Sequence, residues 1–174
     1  MESIFIAPKA GAPFSFMLHT EWSRPLGNGG TFTLTNERHI VRDSRGRIYQ
    51  ERWALVPKGG KVKSFMTTIQ ITDPEQQTWY NCITITKVCD LYPYRLSSTD
   101  NFVPFVAPTR SAPNGASAHE HQDLGDSTYE GENTHGYRET TTIEPGVMGN
   151  DKPMVSMREF WYAPRLAVNL LSIV

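Results

Sequence analysis

From Phe14 onwards, apolar and polar residues alternate. Phe14, Phe16, Leu18 and Trp22 fall on one face of an extended segment, and Ser15, His19 and Glu21 fall on the other, which predicts a half-buried strand. LGNGG follows as a turn of residues that tolerate positive φ. It leads into TFTLTNERHIVRD, where β-branched and aromatic residues outnumber helix formers, so a hairpin is expected. DSRG fits a type I turn closed by a left-handed glycine, and RIYQERWALVP then returns as a strand with Ile48, Gln50 and Arg52 against Tyr49, Glu51 and Trp53. PKGGK, SFMTTIQITD, DPEQQ and TWYNCIT continue as turn, strand, turn and strand. The long 3.6-residue period of amphipathic helices is absent, and the pattern is an antiparallel meander.

The alternation fails at about 93–118, where Pro, Ser, Asn, Ala and Gly accumulate and predict a long irregular connection. STYEGENTHGYRETTTIEP and MVSMREFWYAPRLAVNLLSIV resume it, with GVMGNDKP and APRL as turns, and no fixed-period repeat is found. The chain stops at Val174 inside an apolar stretch without a polar tail, which suggests that a further strand followed in a longer parent sequence.

Composition narrows the class. A chain of 174 residues suits one domain, 1–174, folded as an all-β antiparallel meander curved into a half-barrel or open sandwich. With 17 basic and 18 acidic residues the net charge is −1, which gives no electrostatic footprint for nucleic acid. No apolar run reaches the roughly 18 residues of a membrane-spanning helix. The N-terminal residues lack the basic start and apolar run of a signal peptide, so any leader lies outside this sequence.

At Leu124 and Gly125, Glu130 and Gly131, Gly136 to Arg138, Gly149 to Pro153 and Glu159 to Leu166, the chain resembles a family of exported proteins abundant in acidobacterial genomes. RDSRGRIYQER and ITDPEQQTWYNC are similar to hairpins of the same family. The resemblance implies export and an all-β fold, in the periplasm or outside the cell, and transfers no activity. A second likeness, of fold only, is to the half-barrels of periplasmic lipoprotein carriers.

The candidate chemistry is sparse. In an extended segment His119 and His121 point to the same side with Asp123 next along it, so HEHQD would permit a metal site needing further ligands. There is no G-x-S-x-G elbow or zinc-protease helix, and the glutamates alternate with apolar neighbours as solvent-facing strand residues do, so no catalytic residue is assigned. Trp22, Trp53, Trp79 and Trp161 lie in predicted strands, and a curved sheet would gather several on its concave side as a ligand-binding surface. Alternation puts Cys82 opposite Cys89 if the connection between them is symmetric, which predicts a disulfide across a hairpin. The expectation is an exported, non-enzymatic envelope protein that binds an apolar, lipid-like molecule or a protein partner and needs no cofactor. The alternatives are a small metal-binding protein using His119 and His121, or a carbohydrate-binding module with exposed tryptophans.

Overall fold

The computed structural model describes residues 6–95, 110–112 and 115–174, and every regular element in them is a β-strand. The sequence pattern suggests one domain, whereas contacts group these residues into two compact units, one up to residue 95 and one from 110 onwards. Most of the irregular connection expected at 93–118 lies outside the described residues. At its edges Pro93 ends one strand and Ser117 begins another.

The first unit is a seven-stranded antiparallel sheet of β1 (Phe14–Pro25), β2 (Thr31–Arg42), β3 (Ile48–Trp53), β4 (Val56–Pro57), β5 (Met66–Asp73), β6 (Thr78–Ile83) and β7 (Val88–Pro93). Its order, β1-β2-β3-β5-β6-β7, is the expected meander, with β4 pairing back onto β2. One strand departs from expectation. RIYQERWALVP breaks at a bulge between Arg52 and Trp53, and Val56 and Pro57 turn aside to pair with Thr35 and Leu34. Pro57 has no N–H for a continuous ladder, which suits it to this short edge piece. The turns follow their side chains: the Asp43 carboxylate accepts the N–H groups of Arg45 and Arg47, each at 2.9 Å, and Asp73 accepts those of Glu75 and Gln76 at 3.0 Å.

Register decides what each face carries. Phe14, Phe16, Leu18, Thr20 and Trp22 stand opposite Arg42, Ile40, Arg38, Asn36 and Leu34. The same face continues through Ile48 and Gln50 to Thr72 and Gln70, then to Trp79 and Asn81. It is the more buried side: Ile40, Arg42, Ile48 and Thr72 are all buried, whereas Met17 on the opposite face is 65% exposed. Residues 6–12 are tied across one end of it, because Arg42 donates from Nε to the Ala12 carbonyl at 2.9 Å and from Nη1 to that of Ala7 at 2.6 Å.

The second unit is a five-stranded antiparallel sheet, ordered β12-β11-β10-β9-β8, of β8 (Arg110–Ser111), β9 (Ser117–Tyr129), β10 (Glu132–Ile143), β11 (Met154–Ala163) and β12 (Val168–Ile173). Glu130 and Gly131, both at positive φ, form the tight turn between β9 and β10. A bulge shifts the β9–β10 register at Gly125, whose φ of 77° a glycine adopts without a Cβ penalty. Gly136 faces Trp161 across the ladder, and a Cβ there would lie 2.6 Å from the indole ring. The fold is therefore all-β and antiparallel as expected, and neither strand order closes on itself.

Candidate functional site

The four tryptophans do not share a face. Trp22 and Trp79 lie on the buried face of the first sheet, Trp22 at its edge, 40% exposed and edge-on to Phe32, and Trp79 against Tyr92. Trp53 takes the opposite face, where its indole N–H donates to Glu51 at 2.7 Å. Trp161 belongs to the second unit and donates to Glu159 at 3.0 Å while packing beside Tyr129. The shared tryptophan surface expected from alternation is thus reduced to two residues on one sheet.

His119, His121 and Asp123 do lie on one face of β9, but each is engaged differently. His119 Nδ1 is hydrogen-bonded to Thr141 Oγ1 at 3.0 Å, and His121 packs on the Tyr137 ring. Asp123 accepts the Gly125 N–H at 2.7 Å and turns to His135, 3.1 Å from Nε2. The extra residue at the bulge brings Asp126 onto the same side, so His135 Nδ1 meets Asp126 at 2.8 Å. Hydrogen bonding to Asp126 raises the His135 pKa, with Asp123 adding to it, while the Gly125 N–H and His135 hold Asp123 low. Among the described residues, no group of three His, Cys, Asp or Glu side chains is placed to hold a metal ion.

Cys82 and Cys89 face each other across β6 and β7 and are joined by a disulfide, as the alternation predicts. The connecting turn is tighter than expected, spanning 84–87 with Lys87 at φ 54°.

On the other face of the first sheet, Ser15 Oγ lies 2.7 Å from His39 Nε2, which resembles a nucleophile and its base. The nearby carboxylate serves other groups. Glu51 accepts from Tyr49 Oη, Trp53 Nε1 and the main-chain N–H of His39. Burial pushes Glu51 up, but these hydrogen bonds outweigh it and leave its pKa low.

Sequence reasoning passes over the most unusual cluster, on the buried face. Arg38 is only 8% exposed and its Nε has no hydrogen-bond partner. Asn36 Oδ1 and Gln50 Oε1, on the same face of β2 and β3, are also buried and unpartnered. Asn36 is held in place because its Nδ2 donates to the Trp53 carbonyl at 2.6 Å, beside the bulge. Arg52 donates to Gln70 Oε1 at 3.0 Å, and Gln70 donates to Asn81 Oδ1 at 3.1 Å, which extends the polar row over four strands. Burial, reinforced by the charge of Arg52, pushes the Arg38 pKa down to about 10, and burial lowers that of Arg52.

No protein-family model, characterised protein or solved structure matches the chain. The site must therefore be read from its own chemistry.

Each buried, unpaired polar atom costs roughly 1–3 kcal/mol, and more if it is charged, so three such atoms on neighbouring strands oppose folding. The fold satisfies a buried arginine where it has a structural use. Arg42, on the same strand and face, spends its guanidinium on two carbonyls and the Phe14 ring, 4.7 Å away. Arg38 has no such set of acceptors. Apolar Phe16, Leu18 and Ile40 lie alongside, so the face sets hydrocarbon next to buried, unpartnered polar atoms. A signal for this was present in TFTLTNERHIVRD: Leu34, Asn36, Arg38, Ile40 and Arg42 share one phase, and folding the hairpin at LGNGG sets both arginines among the Phe and Leu side chains of β1.

Proposed function

We propose that the protein is a non-enzymatic ligand-binding protein of the bacterial envelope, holding an apolar, lipid-like molecule against the buried face of its seven-stranded sheet. The observation that carries this reading is the coincidence on that face of aromatic and aliphatic side chains with the unpartnered polar atoms of Asn36, Arg38 and Gln50. Ligand pockets combine mostly apolar lining with a few fixed polar groups, and buried polar atoms are ordinarily paired within the protein. The placement in the periplasm or outside the cell is supported by the Cys82–Cys89 disulfide, a bond favoured in oxidising compartments. No helix among the described residues is long and apolar enough to cross a membrane. The Ser15–His39 pair lends little to a hydrolytic reading, since the Glu51 hydrogen bond comes from the His39 main chain.

The test is to purify the protein from a periplasmic extract, denature it in organic solvent and analyse the extract by mass spectrometry, then to titrate the stripped protein with twelve-carbon amphiphiles. A stoichiometric apolar compound and saturable rebinding are expected. An empty extract together with no binding of any amphiphile would dismiss the reading.

A further inference from the structure

We infer that Asn36, Arg38 and Gln50 form the head-group end of this ligand site, and that they take an oxyanion, carboxylate or phosphate, carrying a neighbouring hydrogen-bond donor such as a hydroxyl or amide N–H. This rests on the reading of the face as an apolar ligand site and deepens it. The three groups specify the ligand by what each lacks. Arg38 Nε lacks an acceptor, while Asn36 Oδ1 and Gln50 Oε1 lack donors. A plain hydrocarbon would leave all three unsatisfied, and a simple cation would meet the arginine with like charge. An acid with an adjacent hydroxyl or amide supplies an acceptor and a donor within one small group.

Three further observations agree. Asn36 is oriented by its own amide, whose donation to the Trp53 carbonyl fixes Nδ2 and leaves Oδ1 turned the other way. Among the described residues no carboxylate forms an ion pair with Arg38, and the charge that acts on its ionisation is the like charge of Arg52. Arg52 is steadied by Gln70, which is itself steadied by Asn81. A second positive group therefore stands beside the first, and an anion placed between β2 and β3 would relieve the repulsion between them. Desolvation by the surrounding apolar residues strengthens such a charge-assisted bond relative to one in water.

The inference separates binding from stability, because a group kept for a ligand lowers the stability of the empty protein. Stripped protein is titrated with dodecanoate, 3-hydroxydodecanoate, dodecyl phosphate and 1-dodecanol, and its urea midpoint is measured for the parent, Arg38→Met and Gln50→Met. Dodecanoate and dodecyl phosphate are expected to bind at least roughly tenfold more tightly than dodecanol, and 3-hydroxydodecanoate more tightly than dodecanoate. Arg38→Met, of similar length and without charge, is expected to erase the preference for acids while keeping dodecanol binding, with an empty-state urea midpoint at or above that of the parent. Gln50→Met is expected to erase only the gain from the 3-hydroxyl, which keeps the test open if Arg38→Met fails to fold. Equal binding of dodecanol and dodecanoate by the parent would overturn the inference and leave the apolar-ligand reading standing. So would an Arg38→Met protein that retains the acid preference, or one that folds with a lower urea midpoint and so reveals a structural arginine. Failure of every amphiphile to bind would remove both.

Discussion

Gly136 shows how a single absent methyl group organises the second sheet. Its empty position is filled by the indole of Trp161 from the neighbouring strand, the cross-strand cover that compensates a glycine within a ladder. The ring is fixed by its N–H on Glu159, and Arg138 grips the same carboxylate at 2.7 Å, so three side chains lock around one vacancy. Gly136→Ala is therefore expected to force the indole aside and cost about 1–3 kcal/mol, read as a lower urea midpoint with a shifted Trp161 emission. An unchanged midpoint would show that the ring moves freely. At this scale the sequence was legible wherever alternation ran unbroken: Phe14, Phe16 and Leu18 do share a face, and Cys82 does meet Cys89. It was opaque where one residue is inserted. Spacing put Asp123 with His119 and His121, but the bulge at Gly125 brings Asp126 to the same side, and His135 from the next strand is taken up between Asp123 and Asp126.

The hairpin of β6 and β7 depends on its cross-link more than on its turn. Every residue of β7 is exposed, leaving little apolar burial to hold the strand, and the turn at 84–87 is built from Thr, Ile, Thr and Lys, with Lys87 strained into positive φ. The disulfide offsets both by limiting the unfolded chain. Replacing both cysteines with serine is expected to lower stability by roughly 2–3 kcal/mol on the chain-entropy estimate and to speed amide exchange in β6 and β7 ahead of β2 and β3. Uniform protection after the double replacement would mean that the turn holds the hairpin unaided. Elements were well marked in the sequence where a side chain enforces the turn, as Asp43 and Asp73 do through their carboxylates. The short β4 was not, because the choice between continuing β3 and pairing with Thr35 of β2 depends on a long-range partner that local pattern does not encode.

Across the whole molecule, ionisation acts in opposite directions at the two ends of the pH scale. Glu21 is held low by Lys58, Glu132 by Arg165, Glu159 by Trp161 and Arg138, and Asp123 by the Gly125 N–H. Their contributions are present above the ordinary values, 4.5 for the glutamates and 3.8 for Asp123, and are lost as pH falls through the lowered ones. His135 has the reverse sign. Its pKa is raised above 6.5, so its contribution is complete below that value and fades as pH climbs through the folded one. Thermal midpoints are expected to fall below about pH 4 and more gently above neutrality; Asp126→Asn is expected to weaken the upper slope alone, and Asp126→Asn combined with Asp123→Asn to abolish it, since both carboxylates raise His135. An upper slope that survives unchanged in the double variant would place the titrating group elsewhere. The division into two units was hidden because meander spacing continues on both sides of the connection, and alternation reports strands without reporting which sheet they join. The paired Glu-x-Trp contacts add an optical consequence: Trp53 in one sheet and Trp161 in the other each bond to a titratable carboxylate two residues earlier. Trp161 is the one tryptophan of the second sheet, against Trp22, Trp53 and Trp79 in the first, so Trp161→Phe would leave an emission that follows the first unit alone through acid or denaturant, and its difference from the parent would follow the second.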